Sequence, residues 1–330
     1  MLKGLYLLNT DAYDLVYGVP EREEIGGRVQ IYAEQQTAES VKESADVLHD
    51  ADVIFSGWGM AKMDEDFLAA APNLKVVFYG AGSIKYFVTD ASWDRGIRVT
   101  SAWAANAEPV VEYTLSQILF CLKRGWYFAR EVRQQKGYPP REGVPGAYGS
   151  TVGIVSLGMI GSKVAHILQQ FDLRVIAYDP FTSPEKAAAL NVELCSLEDL
   201  FRQADVVSLH TPWLKETEGM ITGDLISSMK ENASLINTAR GAIVQEDEMI
   251  DVLRERPDLQ AVLDVTYPEP PEPDSPLYTL PNVALTPHIA GAMGEECRRL
   301  GQAMVAELKR YLKDEPMKWE LTEDDVKTMA

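Results

Sequence analysis

Positive charge is scarce in this sequence. Lys and Arg together number 31 against 50 Asp and Glu in 330 residues, a net charge of −19. Nucleic-acid partners need a basic footprint, so they are excluded as an expectation. An anionic ligand would have to be drawn in by local cationic groups against an unfavourable overall field. Cysteine is nearly absent too: Cys121, Cys195 and Cys297 lie far apart, with no CxxC pair. That excludes a disulfide or zinc framework, gives no reason to expect a metal, and points to a reducing, cytoplasmic compartment. No window holds eighteen consecutive apolar residues, which excludes a membrane-spanning helix. The first ten residues turn polar too soon for a secretory signal. Repeats and low-complexity tracts are missing as well. What remains is 46% hydrophobic and 25% charged, the balance of a soluble globular protein long enough for two domains.

Short β-branched runs alternate with amphipathic stretches, the pattern of βαβ units around parallel sheets. The first block predicts strands at 4–8, 28–32, 52–55, 74–79 and 97–100. A long helix is expected to start at Asn106 as N-cap, with Glu108 and Pro109 in its first turn. Residues 137–149 read as a Gly- and Pro-rich loop. A second block predicts six strands, at 151–156, 173–178, 205–210, 233–237, 260–264 and 283–286, the count of a doubly wound dinucleotide fold. Five prolines within 268–276 require an irregular loop. A last amphipathic helix uses Cys297, Leu300, Met304, Leu308 and Tyr311. The polar tail 313–330 is expected to be loosely ordered.

A cofactor site is read at residues 151–161, where a buried strand runs into a glycine turn and then a helix. Ile160, Val164, Ile167, Leu168 and Phe171 give that helix one inner face. Gly158 lets the backbone approach a pyrophosphate at the helix N-terminus, and Gly161 permits close helix–strand packing. Ser156 stands at the first position of the G-x-G-x-x-G fingerprint, which weakens it. Asp179 closes the next strand, 21 residues after Gly158, where a carboxylate accepts hydrogen bonds from a ribose. No arginine follows within 180–184 to receive a 2′-phosphate, so NAD is favoured over NADP. The bland alternative is a strand-end Asp capping a turn.

Three more segments follow strands of this block: Asn237-Thr-Ala-Arg240-Gly241, Asp264 to Pro270 including Glu269, and Thr286-Pro287-His288. Ligands of open α/β sheets bind beyond the carboxyl ends of strands, so these segments should converge. A guanidinium can clamp a carboxylate and polarise the carbonyl beside it. An imidazole can exchange a proton with a hydroxyl, and a neighbouring carboxylate orients the ring. Each residue alone has a bland counterpart: a structural His288, a solvated Glu269, an Arg240 paired with a surface acid. Only the three together, at three strand ends, point to a site.

These motifs, with His210-Thr211-Pro212, resemble the D-isomer-specific 2-hydroxyacid dehydrogenase family in order and over residues 5–312. The resemblance implies an α/β fold of two doubly wound parallel-sheet domains. A Rossmann NAD-binding domain at 106–291 would be inserted in a flavodoxin-like substrate-binding domain formed by 1–105 and 292–330. It implies NAD(H)-dependent hydride transfer between the nicotinamide and a small 2-oxo or D-2-hydroxy acid. Arg240 would anchor the carboxylate and carbonyl, His288 would serve as acid/base, and Glu269 would support it. The cofactor would be held by Ser156, Gly158, Met159, Ile160, Gly161, Asp179, His210, Thr211, Pro212, Thr238, Ala239, Arg240, Asp264 and His288. Asp264 would meet the nicotinamide carboxamide. Homodimers through the NAD domain are usual in such relatives.

The segment Tyr79-Gly80-Ala81-Gly82-Ser83-Ile84-Lys85 resembles the family loop whose amides hold the substrate carboxylate, through Ala81, Gly82 and Ser83. It departs from the pattern in lacking an Asp shortly after the second glycine. Lys85 either adds a cation for a second anionic group or is an exposed helix-edge lysine. Trp58 either walls the same pocket or packs. Met159 stands where many relatives carry Arg, a change of small consequence if backbone amides hold the pyrophosphate. The rival readings are a non-catalytic NAD-binding sensor or corepressor on this scaffold, a formate dehydrogenase, against which Glu269 in place of Gln weighs, and a Rossmann methyltransferase, which leaves Arg240, Glu269 and His288 unexplained.

Overall fold

The buried apolar runs assemble into two sheets. A computed structural model describes residues 1–329, so Ala330 of the expected loose tail lies outside the described residues. The chain divides into two compact units, Met1–Glu108 with Ala292–Met329, and Pro109–Gly291.

The first unit holds β1 (Lys3–Leu7), β2 (Gln30–Ile31), β3 (Val53–Ser56), β4 (Val76–Tyr79) and β5 (Arg98–Ser101), all parallel, in the order β5-β4-β3-β1-β2. That is the flavodoxin-like doubly wound order, with its switch point between β1 and β3. Both faces of its central strands are covered: Ile54 and Val77 pack into one cluster, Val53, Phe55, Val76 and Phe78 into another. Strands buried on both sides read as continuous apolar runs, which is why they stood out in the sequence.

The second unit holds β6 (Thr151–Val155), β7 (Arg174–Tyr178), β8 (Glu193–Leu194), β9 (Val206–Leu209), β10 (Ser234–Asn237), β11 (Gln260–Leu263) and β12 (Val283–Leu285). They are parallel in the order β12-β11-β10-β9-β6-β7-β8. This is the Rossmann order extended by one strand, with the reversal between β6 and β9. Six strands were expected. The seventh, β8, is a two-residue edge strand too short to give a pattern.

Two expectations need correction, and one helix comes in addition to those expected. The long helix spans Trp103–Leu122, not a start at Asn106. Ser101 Oγ accepts from the Trp103 amide, while Asn106 is already helical, its amide bonded to the Ala102 carbonyl. The Asn106 side chain instead accepts from the Ala292 amide at 2.9 Å. A second helix, Gly125–Gln135, follows it directly and was not anticipated. The tail is ordered: Glu320–Leu321 (β13) adds antiparallel to β5, and the helix Glu323–Thr328 follows, its N-terminus capped by Thr322. Long-range partners explain this. The buried Glu307 carboxylate accepts from the Trp319 amide, Arg98 grips Glu320 with two 2.6 Å hydrogen bonds, and Trp319 packs edge-on against Trp103. No helix among the described residues is long and apolar enough to cross a membrane.

Candidate active site and cofactor cleft

In the second unit, every candidate segment leaves the carboxyl end of a strand. The glycine turn follows β6, Asp179 follows β7, His210–Pro212 follows β9, Thr238–Arg240 follows β10, Asp264–Glu269 follows β11, and His288 follows β12 by three residues.

At the turn after β6, Gly158 caps the helix Met159–Leu168 without any side-chain cap, so the amides of its first turn, including Met159 and Ile160, keep their donors for a ligand. A Cβ on Gly158 would meet nothing within 4 Å, whereas one on Gly161 would overlap the Ser156 carbonyl oxygen. The turn is therefore open on the ligand side and tight on the packing side. Ser156 makes it at φ 78°, in the left-handed region that glycine adopts without strain.

Asp179 carries out its bland role and leaves room for another. Its Oδ2 accepts from the Leu157 amide at 2.7 Å, and its Oδ1 from the Phe181 and Thr182 amides at 2.8 and 2.9 Å. A carboxylate has about four acceptor positions, so these three bonds leave one for a ribose hydroxyl. On the far side of β6, the Thr211 hydroxyl is buried with no partner among the described residues. An orphaned hydroxyl of that kind asks for a ligand atom. His210 lies behind it, its Nε2 3.0 Å from Ser208 Oγ, and desolvation lowers its pKa to about 3, so the ring is neutral. An uncapped helix start, an open glycine, a carboxylate with a spare acceptor and an orphaned hydroxyl together fit a dinucleotide.

The loops after β10, β11 and β12 hold the candidate reactive groups. Asn237 pins its turn from both ends, donating to the Arg240 carbonyl and accepting from the Ala239 amide. The buried Thr238 places its hydroxyl 3.2 Å from that of Thr114. The Arg240 guanidinium donates once within the described residues, to the Ala239 carbonyl at 2.6 Å. The rest of its five-donor fork is uncommitted there. Burial lowers the Arg240 pKa and the Glu269 carboxylate opposes that shift, so the two charges act on each other. Glu246, which sequence reasoning missed, accepts from the Tyr267 amide and fastens the β11 loop to the segment that follows Arg240. Burial raises its pKa.

Glu269 Oε1 lies 2.6 Å from His288 Nδ1, the spacing of a charge-assisted hydrogen bond. A carboxylate at that distance accepts, so the proton of the contact sits on Nδ1, and Nε2 has no protein partner among the described residues. Both side chains are half exposed. His288 sits at φ 53°, also left-handed, and Asp264 holds it there. The His288 amide donates to the Asp264 carbonyl, while the buried Asp264 carboxylate accepts from Thr286 Oγ1 at 2.6 Å and from the Ile289 and Ala290 amides at 2.9 and 2.8 Å. Three protein donors occupy Asp264, so its first role is to shape the loop that presents His288.

In the first unit, Trp58 follows β3 and residues 81–85 follow β4. Tyr86 ties these loops together: its hydroxyl accepts from the Met60 amide at 3.1 Å and lies 3.2 Å from the Tyr79 hydroxyl. Trp58 is half-buried and packs against both apolar clusters of this unit. Lys85 is exposed and takes part in an interaction of its own. Among the described residues no group of three or more His, Cys, Asp or Glu side chains is arranged to hold a metal ion.

Comparison with known proteins agrees with this arrangement. Residues 115–290 match the family model of the D-isomer specific 2-hydroxyacid dehydrogenase, NAD binding domain. The chain is 31% identical over 257 residues to D-3-phosphoglycerate dehydrogenase of Archaeoglobus fulgidus, covering 78% of this chain and 49% of that protein. It is 36% identical over 254 residues to (S)-sulfolactate dehydrogenase of Chromohalobacter salexigens, covering 76% and 82%. A crystal structure of a Thermus thermophilus protein aligns with a TM-score of 0.76 at 30% identity, over 97% of this chain and 100% of that one. The chain spans about half the length of the phosphoglycerate dehydrogenases that it matches. The match to a family model over more than half of its residues, in the unit that carries the glycine turn and the Arg–Glu–His set, means that the chain belongs to the D-isomer-specific 2-hydroxyacid dehydrogenase family, with its NAD-binding domain in the second unit.

Proposed function

We propose that this protein is an NAD(H)-dependent oxidoreductase acting between a small 2-oxo acid and the D-2-hydroxy acid. The observation that supports the reading most is the 2.6 Å contact of His288 Nδ1 with Glu269 Oε1, beside an Arg240 whose fork is largely uncommitted. The bound cofactor supplies or accepts the hydride. Arg240 holds the substrate carboxylate and polarises the adjacent carbonyl oxygen. The Ala81–Ser83 backbone serves the carboxylate as well. His288 delivers a proton from Nε2 to the oxygen that gains charge in reduction, and takes it back in oxidation. Glu269, held at Nδ1, orients the ring and stabilises it while it carries the proton. Asp179 favours NAD over NADP because a 2′-phosphate would face a carboxylate.

The reading extends to two further points. The relatives named for phosphoglycerate and sulfolactate act on acids with a second anionic group, and Lys85 is the proposed cation for such a group here. Two chains are proposed to pair through the second unit. The helix Gly125–Gln135 contains no buried residue yet carries Trp126, Tyr127 and Phe128, and Tyr138 and Tyr148 in the following loop are largely exposed.

One experiment tests the set: NADH oxidation at 340 nm against glyoxylate, hydroxypyruvate, phenylpyruvate, 2-oxoglutarate and 3-phosphohydroxypyruvate, with NADPH in parallel. Turnover of at least one acid is expected, with NADH preferred and the active species sedimenting at the mass of two chains. A dianionic acid should lead the panel if Lys85 has its proposed role. NADH binding without turnover of any acid would transfer the case to the sensor reading.

A further inference from the structure

The loop after β4 is shaped from behind by a residue that no motif singles out. Ser101, the last residue of β5, is fully buried, and its Oγ lies 2.9 Å from the Ala81 carbonyl oxygen and 2.6 Å from that of Gly82. The same Oγ accepts from the Trp103 amide at 3.2 Å, which fixes where its lone pair points. A hydroxyl has one proton to give, so Ser101 shares it between the two carbonyls.

The 81–82 and 82–83 peptides are trans. In a trans peptide the N–H points away from the C=O. Drawing the Ala81 and Gly82 carbonyls inward to one hydroxyl therefore turns the Gly82 and Ser83 N–H groups outward together. Neither amide donates to a protein acceptor among the described residues, and both residues are partly exposed. Two adjacent outward N–H groups with no internal partner form a receptor for one carboxylate. They do so without a formal charge, in a protein of net charge −19.

We infer that Ser101 is the positioning residue that aims these two amides, which are already proposed above to serve the substrate carboxylate. The inference rests on the proposed 2-oxoacid reading. Ser101 does not touch substrate. It sets the direction of the two donors that do, so its loss should weaken acid binding and leave the cofactor alone.

The test uses the full chain with saturating NADH, and oxamate as an unreactive carboxylate probe in titration calorimetry beside steady-state kinetics. Ser101→Ala should weaken oxamate binding and raise KM for the oxo acid by about tenfold, the scale of one or two loosened hydrogen bonds. Its KM for NADH should stay within about twofold. Thr100→Val removes a buried hydroxyl from the same strand, one that lies 3.3 Å from Glu307 Oε2, and should leave both constants unchanged. Equal loss of oxo-acid and NADH affinity in Ser101→Ala, or the same loss in Thr100→Val, would make Ser101 merely structural. In the unsubstituted chain, hydrogen exchange of the peptide carrying the Gly82 and Ser83 amides should slow when oxamate is added, and unchanged exchange overturns the inference even if Ser101→Ala fails to fold. Turnover of an oxo acid without oxamate binding overturns the receptor alone. Absence of both removes the oxidoreductase reading with it.

Discussion

Each unit carries its proposed ligand groups beyond the carboxyl ends of its parallel strands, yet the groups differ in kind. The second unit offers side chains: the Arg240 fork, the Glu269 carboxylate and the His288 ring, each on its own loop. The first is proposed to offer backbone: the Gly82 and Ser83 amides, whose neighbouring carbonyls are held by the buried Ser101 hydroxyl. A side chain carries its chemistry wherever a loop brings it, so one substitution can remove it cleanly. A backbone donor survives substitution of its own residue and is lost only when the support behind it changes. The contrast predicts where mutation should act on turnover, where on folding, and where on almost nothing.

The largest effect is expected at His288. His288→Asn suits the position because Asn tolerates the left-handed backbone that His288 adopts at φ 53°. Turnover should fall by roughly 10²–10⁴ while NADH affinity and the unfolding midpoint stay close to those of the parent. Near-parental turnover in a confirmed assay would mean that another group moves the proton. A parallel collapse of folding would mean that the ring, and not only the backbone, supports the loop.

A smaller and different effect is expected at Asp264. Asp264→Asn keeps the shape and replaces one acceptor oxygen by a donor facing backbone amides that are themselves donors. The site is buried, so an unmade hydrogen bond there is costly, and a loss of about 2–4 kcal/mol in stability is reasonable. Chemical denaturation measures it directly. Here turnover should fall because the His288 loop loosens, so the two losses should appear together, unlike at His288 itself. An unchanged denaturation midpoint would show that the carboxylate is not what holds the loop.

The same contrast explains how much could be read before the fold was known. The doubly wound pattern was legible because strands buried on both faces give unbroken apolar runs, and Arg240, Glu269 and His288 could be picked out as candidates because each follows a short apolar run. Ser101 was not legible, since a serine closing a strand has no distinguishing neighbour in sequence and its partners lie 19 and 20 residues away. The ordered tail was missed for a related reason. Its composition is polar, and its order comes from Glu307, Arg98 and Trp103, which no local pattern connects to it. Asn106 has the residue type of a cap, yet its side chain accepts from the Ala292 amide, a partner that no local pattern reveals.

The smallest expected effect lies at Ser156, and it has the opposite sign. The second unit has non-glycine residues at positive φ at both His288 and Ser156. At His288 the proposed proton transfer requires the side chain, and the Asp264 hydrogen bonds hold the loop in place. At Ser156 the tie that fixes the turn is a backbone bond, its amide to the Tyr178 carbonyl at 2.8 Å, which survives any substitution except proline. A left-handed L-residue costs about 1–2 kcal/mol. Glycine removes that cost and returns about 0.5–1 kcal/mol through its freer unfolded chain. Ser156→Gly should therefore stabilise the protein by about 0.5–1 kcal/mol, a rise of one or two degrees in Tm for a chain of this size, with NADH affinity equal or slightly better. A fall in Tm would show that the Ser156 hydroxyl makes a contact worth more than the strain. A fall in NADH affinity with Tm raised would place that contact on the cofactor, and make the departure from the glycine fingerprint a feature of binding instead of a tolerated defect.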